Sequence, residues 1–129
     1  FISDGDVSGV ISVAYPKSEI DIYIGTGGGP EGVLAAAALK CLGCQMQTRL
    51  KFYEEEEKVR VRKMGIKDLG FKYKIIDMVK EDVIFCATGV TDGDIVKGIK
   101  ILKNSFESET LLLHKSSNTN NIIKNINKK

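Results

Sequence analysis

The chain has 129 residues, 43% of them apolar and 28% charged, with a formal net charge of +2. That balance makes one ordinary globular domain with a core, and excludes a disordered or fibrous chain. The apolar stretches are too short and too broken by Gly and charge for a transmembrane helix, and the weak basic excess, absent Trp and sparse aromatic–basic interleaving argue against nucleic acid as a partner.

Phe1–Ser3 reads as a short buried strand. It lacks the charged and long apolar regions of a signal peptide, and a strand at residue one implies a natural chain that continues upstream. Asp4-Gly5-Asp6 is an acidic turn. Val7, Val10, Ile11 and Ala14 then recur at helical spacing as far as Tyr15, and Pro16-Lys17-Ser18 breaks that helix. Ile20–Ile24 (IDIYI) alternates and is β-branched, so it reads as a strand. The glycine-rich loop Gly25–Gly29 follows, and Pro30 suits the first turn of a helix from Glu31 to Leu42 that Gly43 closes.

Gln45–Phe52 reads as a strand, Glu54–Met64 as a charged helix stopped by Gly65, and Ile75–Val79 as a helical turn. Val83–Thr88 (VIFCAT) has the composition of a central strand. A polar loop, Gly89–Asp94, and a short turn, Ile95–Gly98, lead to a strand over Thr110–His114. From Ser116 the Asn-, Lys- and Ser-rich stretch reads as a flexible basic tail, so the domain is 1–115 and the tail 116–129. Strands alternating with helices predict an α/β layered sandwich, with a central mixed sheet flanked by helices.

The chemistry sits in the loops. Gly25-Thr26-Gly27-Gly28-Gly29-Pro30-Glu31-Gly32 joins a strand to a helix. Glycines let a ligand approach the backbone, and a helix start offers free N–H groups and partial positive charge. The segment suits an anion or a sugar ring, though a tight structural turn has the same letters. It is neither a P-loop, lacking Gly-Lys-Ser/Thr, nor a dinucleotide fingerprint, since Pro30 occupies the third glycine's place. Glu31 is either a first-turn acid favoured by the helix dipole or an oxygen ligand for a hard cation. Asp4-Gly5-Asp6 lies at a strand's carboxyl end, where open α/β sheets bind ligands. It fits sugar hydroxyls or a cation, and equally a turn with Asp6 as N-cap. Thr91-Asp92-Gly93-Asp94 carries the same ambiguity.

The remaining polar residues have plainer readings. Cys41, Cys44 and Cys86 fit a reducing compartment without disulfides, and the Cys41/Cys44 pair falls at a helix end, away from dipole activation. The acidic run Glu54–Glu57 is a solvated first turn. His114, the single histidine, reads as packed on an apolar strand. No catalytic dyad is visible.

Taken in order, DGDV, GTGGGPEGVLAAAALKCLG, QMQTRL, MGI and DVIFCATGVTDGDIVKGI resemble the class II (GlpX-type) fructose-1,6-bisphosphatases over about Phe1 to Lys115. The resemblance implies the C-terminal part of the lithium-sensitive sugar phosphatase fold. It implies release of the 1-phosphate of fructose 1,6-bisphosphate in gluconeogenesis, by water activated on Mn²⁺ or Mg²⁺. It makes Asp4, Gly5, Asp6 and Gly28 substrate contacts and Glu31 a metal ligand. It also implies a cytoplasmic enzyme, dimeric or tetrameric when whole. The family's other metal carboxylates and its WDPIDGT-like element lie upstream of DGD and are absent here, so this chain alone is expected to be inactive. Two alternatives remain: an enzyme that also accepts sedoheptulose 1,7-bisphosphate, and a truncated module that binds sugar phosphate or a partner without catalysis.

Overall fold

The computed structural model describes residues 6–128, and side chains from Val7 onward. The strand expected at Phe1–Ser3 lies outside the described residues. Helix α1 (Asp6–Ser12) ends before a 3₁₀ turn, Pro16–Ser18, in which Ser18 Oγ donates to the carbonyls of Ser12 and Tyr15. Helix α2 (Gly29–Leu42) begins behind Gly28 with Pro30 in its first turn. It stops where Gly43 takes the left-handed φ of 74° that a Cβ disfavours. In α3 (Glu55–Lys63), Glu57 accepts the N–H groups of Tyr53 and Glu54, while Arg60, Arg62 and Lys63 occupy the last turn. Acid at the start and base at the end both match the helix dipole, so the Glu54–Glu57 run is a capping device.

Strands β1 (Gln47–Thr48) and β2 (Tyr73–Lys74) form a small antiparallel ribbon that leads into α4 (Ile75–Met78). The larger sheet contains β3 (Ile84–Thr88), β4 (Lys100–Ile101), β5 (Ser105–His114) and β6 (Thr119–Lys128). β5 is its centre, with β3 and β4 along one edge and β6 along the other.

This arrangement corrects four expectations. Every pairing among the described residues is antiparallel, so the sheet is not mixed. Among the described residues β3 is not the central strand; there it pairs only with β5. The segment from Ser116 is no flexible tail: residues 115–118 turn, with Asn118 at φ 53°, and β6 pairs with β5 over ten residues without a bulge. Finally, Ile20–Ile24 has no regular secondary structure and joins no sheet among the described residues.

The core lies between the helices and one face of the larger sheet. Leu111 and Leu113 stand two residues apart on β5, opposite Ala87 and Phe85 of β3. Leu111, Leu113 and Phe85 pack with Ile11 of α1 and with Ala38 and Cys41 of α2. On the other face Ile84 and Cys86 are exposed, so among the described residues helices cover one side of the sheet only. α2 is also tied to the entry of β3 by Lys40, whose ammonium donates to the carbonyls of Val79 (2.8 Å), Lys80 (3.0 Å) and Glu81 (2.7 Å).

Candidate functional site

An open groove of about 850 Å³ runs along the start of α2. Its floor and walls come from four places: Val10 of α1 with Val13 just past it, the stretch Asp21–Gly28, the α2 residues Glu31, Gly32, Ala35 and Leu39, and the ribbon and α4 with Lys74, Ile75 and Ile76. The glycine-rich loop therefore lines a concavity.

Gly28 and Glu31 meet there. Gly28 has an ordinary extended backbone (φ −68°, ψ 160°), so no unusual dihedral demands glycine. A Cβ built on Gly28 would meet only the tip of the Glu31 side chain, whose carboxylate folds back over the loop from the first turn of α2, so a side chain here would displace that carboxylate and leave the loop in place. The Gly28 carbonyl accepts the N–H of Gly32 at 3.0 Å and opens the helix. At the other end of the loop the Tyr23 ring lies over Gly25 in the same way. A carboxylate, a phenol and bare glycine backbone thus share one groove with Lys74: the oxygens can accept from ligand hydroxyl groups, while only the backbone N–H groups and the ammonium can meet negative charge.

The remaining site candidates divide. Asp4 and Gly5 lie outside the described residues. Asp6 opens α1, the helix that ends next to the groove residues Val10 and Val13. Asp92, in the second acidic turn, accepts the Gly98 N–H at 2.9 Å, and Gly93 N–H bonds Val96 O at 3.1 Å. Backbone of Thr91 and Asp92 crowds Gly98, and the Lys97 carbonyl crowds Gly89, so this loop is a closed structural turn.

No group of three or more His, Cys, Asp or Glu residues able to hold a metal ion occurs among the described residues. Glu31 is the right type of donor for Mg²⁺ or Mn²⁺, but such ions take about six oxygen ligands. The groove therefore fits a cation only as one contributor to a site completed from elsewhere. Cys41 is buried, its thiol pushed up by that burial, and Cys44 is half-buried; both are free.

A polar cluster also forms at a position that reads as apolar in the sequence. His114 is not packed among apolar groups. Its Nε2 is 2.9 Å from Asp82 Oδ2 and 3.0 Å from Ser116 Oγ, and its Nδ1 is 2.7 Å from Ser117 Oγ. Hydrogen bonds from Ser116 and then from the His114 ring hold the Asp82 carboxyl down at about 2. These residues fasten the β5–β6 turn to the start of β3 and do not line the groove. Only the fold brings Asp82, His114 and Ser117 together, since 32 residues separate the first two.

Comparison with known proteins places the chain in a family. The family model described as bacterial fructose-1,6-bisphosphatase, glpX-encoded, matches residues 1–127. The chain is 39% identical over 132 residues to the class 2 fructose-1,6-bisphosphatase of Haemophilus influenzae, covering 92% of this chain and 39% of that protein. It has the same identity and coverage against fructose-1,6-bisphosphatase 1 class 2 of Escherichia coli K12. A D-fructose 1,6-bisphosphatase class 2/sedoheptulose 1,7-bisphosphatase of Synechococcus sp. (strain JA-3-3Ab) is 32% identical over 141 residues, covering 99% of this chain and 41% of that protein. The chain thus spans about two-fifths of the length of the curated relatives it matches. With the match running over nearly all its residues, the chain belongs to the glpX-encoded bacterial fructose-1,6-bisphosphatase family.

Proposed function

We propose that this chain supplies one wall of an active site that hydrolyses the 1-phosphate of fructose 1,6-bisphosphate to fructose 6-phosphate and phosphate. The observation that carries the reading is the meeting of Gly28 and Glu31 in one groove, within a chain of this family. Phosphoryl transfer needs little covalent help from a protein; positioning and electrostatic stabilisation do most of the work. The bare backbone at Gly28 lets the sugar phosphate lie close. The free N–H groups at the start of α2 favour its negative charge. Asp4, Gly5 and Asp6 orient the sugar through its hydroxyls. Glu31 contributes one oxygen to a Mn²⁺ or Mg²⁺ site whose other donors come from the rest of a family protein, where such an ion neutralises phosphoryl charge and acidifies bound water.

The lithium-sensitive sugar phosphatase fold, a place in gluconeogenesis and a homo-oligomeric whole protein belong to the same reading. So does a cytoplasmic setting, supported by three free cysteines. No helix of the described residues is long and apolar enough to cross a membrane. A second reading adds sedoheptulose 1,7-bisphosphate as substrate, favoured by the name of the Synechococcus relatives.

The test joins this chain to the part of the Haemophilus relative that lies outside the match, and measures Mn²⁺-dependent phosphate release from both sugars. The fusion should be active, the isolated chain inactive, and Glu31→Gln should lower the fusion's rate about 100-fold. Phosphate release by the isolated chain, or full activity of the Glu31→Gln fusion, would refute the assignment.

A further inference from the structure

The cluster at the β5–β6 turn holds one member more than fastening the turn requires. The Ser116 N–H on Asp82 Oδ1 (3.0 Å) and the His114 ring on Asp82 Oδ2 (2.9 Å) already tie the turn to β3. Ser117 extends the line: its Oγ lies 2.7 Å from His114 Nδ1, the ring nitrogen that does not face Asp82. The partners fix the protons. Asp82, held down at about 2, is a carboxylate at neutral pH and can only accept, so Nε2 carries the ring proton and donates it. In the neutral ring Nδ1 is then a bare acceptor, and the Ser117 hydroxyl donates to it. Hydroxyl, imidazole and carboxylate, each within hydrogen-bond reach of the next, are the arrangement that activates a serine, here with the two ring nitrogens exchanged relative to the serine proteases. With the Ser117 proton committed, the Thr119 hydroxyl at 2.6 Å donates to Ser117 Oγ. The Ser117 N–H has no partner among the described residues and is available to a developing oxyanion. Ser117 is exposed, so a reagent can reach it, while the His114 side chain, only 29% exposed, is held in place beneath.

We propose that Ser117 is a nucleophile for acyl transfer, with His114 as its general base and Asp82 orienting the ring, and that it acts on small esters with a good leaving group. The turn borders neither the groove at α2 nor the smaller hollow at β4, β5 and β6, so the leaving group, more than binding, has to carry the reaction. In the first half Ser117 Oγ bonds to the carbonyl carbon while its proton passes to His114 Nδ1. The bond to the leaving oxygen breaks, and that oxygen takes the proton. In the second half a water gives a proton to Nδ1 and bonds to the acyl carbon, and Ser117 Oγ leaves with that proton. One ester and one water become one acid and one alcohol. None of these residues lines the groove of Gly28 and Glu31, so the inference stands apart from the phosphatase reading.

A fluorophosphonate tests it, because the same hydroxyl attacks its phosphorus and expels fluoride. Mass spectrometry of the treated chain should find one adduct, on Ser117. Ser117→Ala should abolish it and, at an exposed position, leave the circular dichroism and urea midpoint unchanged. His114→Gln should slow labelling about 100-fold or more, the low end of what a general base contributes. Unfolding in urea should abolish labelling, since only the fold joins the three residues. p-Nitrophenyl acetate should release a burst of about one nitrophenolate per chain as the acyl-serine forms. No adduct, an adduct on another residue, or a folded His114→Gln chain that labels at the wild-type rate would overturn the proposal. So would equal labelling of the unfolded chain, which would mark Ser117 as an ordinary exposed serine. Should His114→Gln or the isolated chain not fold, the comparison of wild type with Ser117→Ala, native against urea-unfolded, on the fusion described above gives the same answers.

Discussion

Lys40→Met is the substitution from which the packing of this domain is most cleanly read. The Lys40 ammonium, in the last turn of α2, donates to three carbonyls in the segment between α4 and β3. The bond to Val79 is partly buried, and a charge-assisted bond of that kind contributes about 1.5–3 kcal/mol. Those to Lys80 and Glu81 are exposed, so water replaces the ammonium and each adds only a few tenths. The charge also complements the carboxyl end of α2, for about 0.3–1 kcal/mol. Met keeps most of the stem's apolar contact, which isolates the head group. The sum is about 2–4 kcal/mol, and a domain of this size loses about 3–5 °C in Tm per kcal/mol. Urea denaturation followed by circular dichroism measures it, with an unchanged m-value expected and Lys40→Arg falling between the two. A Lys40→Met chain within about 0.5 kcal/mol of wild type would show that the three carbonyls do not depend on this ammonium. The consequence reaches the groove, because Ile75 and Ile76 of α4 line it.

Leu113, fully buried on β5, has no room to be replaced: Leu113→Ala should cost about 2–5 kcal/mol in the same denaturation assay, and a cost under 1 kcal/mol would mean that the core does not close around it. Gly28→Ala should change stability by less than about 1 kcal/mol, since its dihedrals suit Ala and the lost cap is offset by a stiffer unfolded chain; its effect should instead be a displaced Glu31 carboxylate, read as lost phosphatase rate in the fusion. The folded-state pKa of Asp82, about 2, lies below its ordinary 3.8, so its contribution is full above about pH 4 and is lost as pH falls toward 2. Asp82→Asn should flatten that part of the stability–pH curve, leaving the slope due to Glu55, Glu57 and Glu109, whose carboxyls are also held down; identical curves for the two proteins would contradict the assigned hydrogen bonds.

Elements set by local chemistry were legible in the sequence. The Ala-rich run before Gly43 and the acid-to-base gradient before Gly65 define α2 and α3, because caps and dipole act within one turn. Elements set by a partner were not. Thr119–Lys128 has the composition of a tail, yet in register with β5 it becomes a strand, placing Lys124 against Glu109 and Ile122 against Leu111. IDIYI has the composition of a strand, yet without a neighbouring edge among the described residues it takes no regular structure. In the groove, Gly28 and Glu31 come from one strand-like, glycine-rich and helical stretch of sequence, whose spacing left Glu31 open between a first-turn acid and a cation ligand; the family resemblance chose between them. The wall formed by Lys74, Ile75 and Ile76 was not legible, because it arrives from more than forty positions away. His114 and Asp82 are hidden from the sequence for the same reason.

The central claim is that the Gly25–Gly32 loop is the sugar-bisphosphate wall of the site. Amide chemical shifts of the ¹⁵N-labelled chain, followed during titration with fructose 1,6-bisphosphate and with fructose, test it most directly. One wall without its complement should bind weakly, with a Kd of about 1 mM or above. The amides of Gly27, Gly28, Gly29 and Glu31 should shift with the bisphosphate and stay in place with fructose. Shifts confined to other parts of the chain, or none at ten times that concentration, would contradict the account.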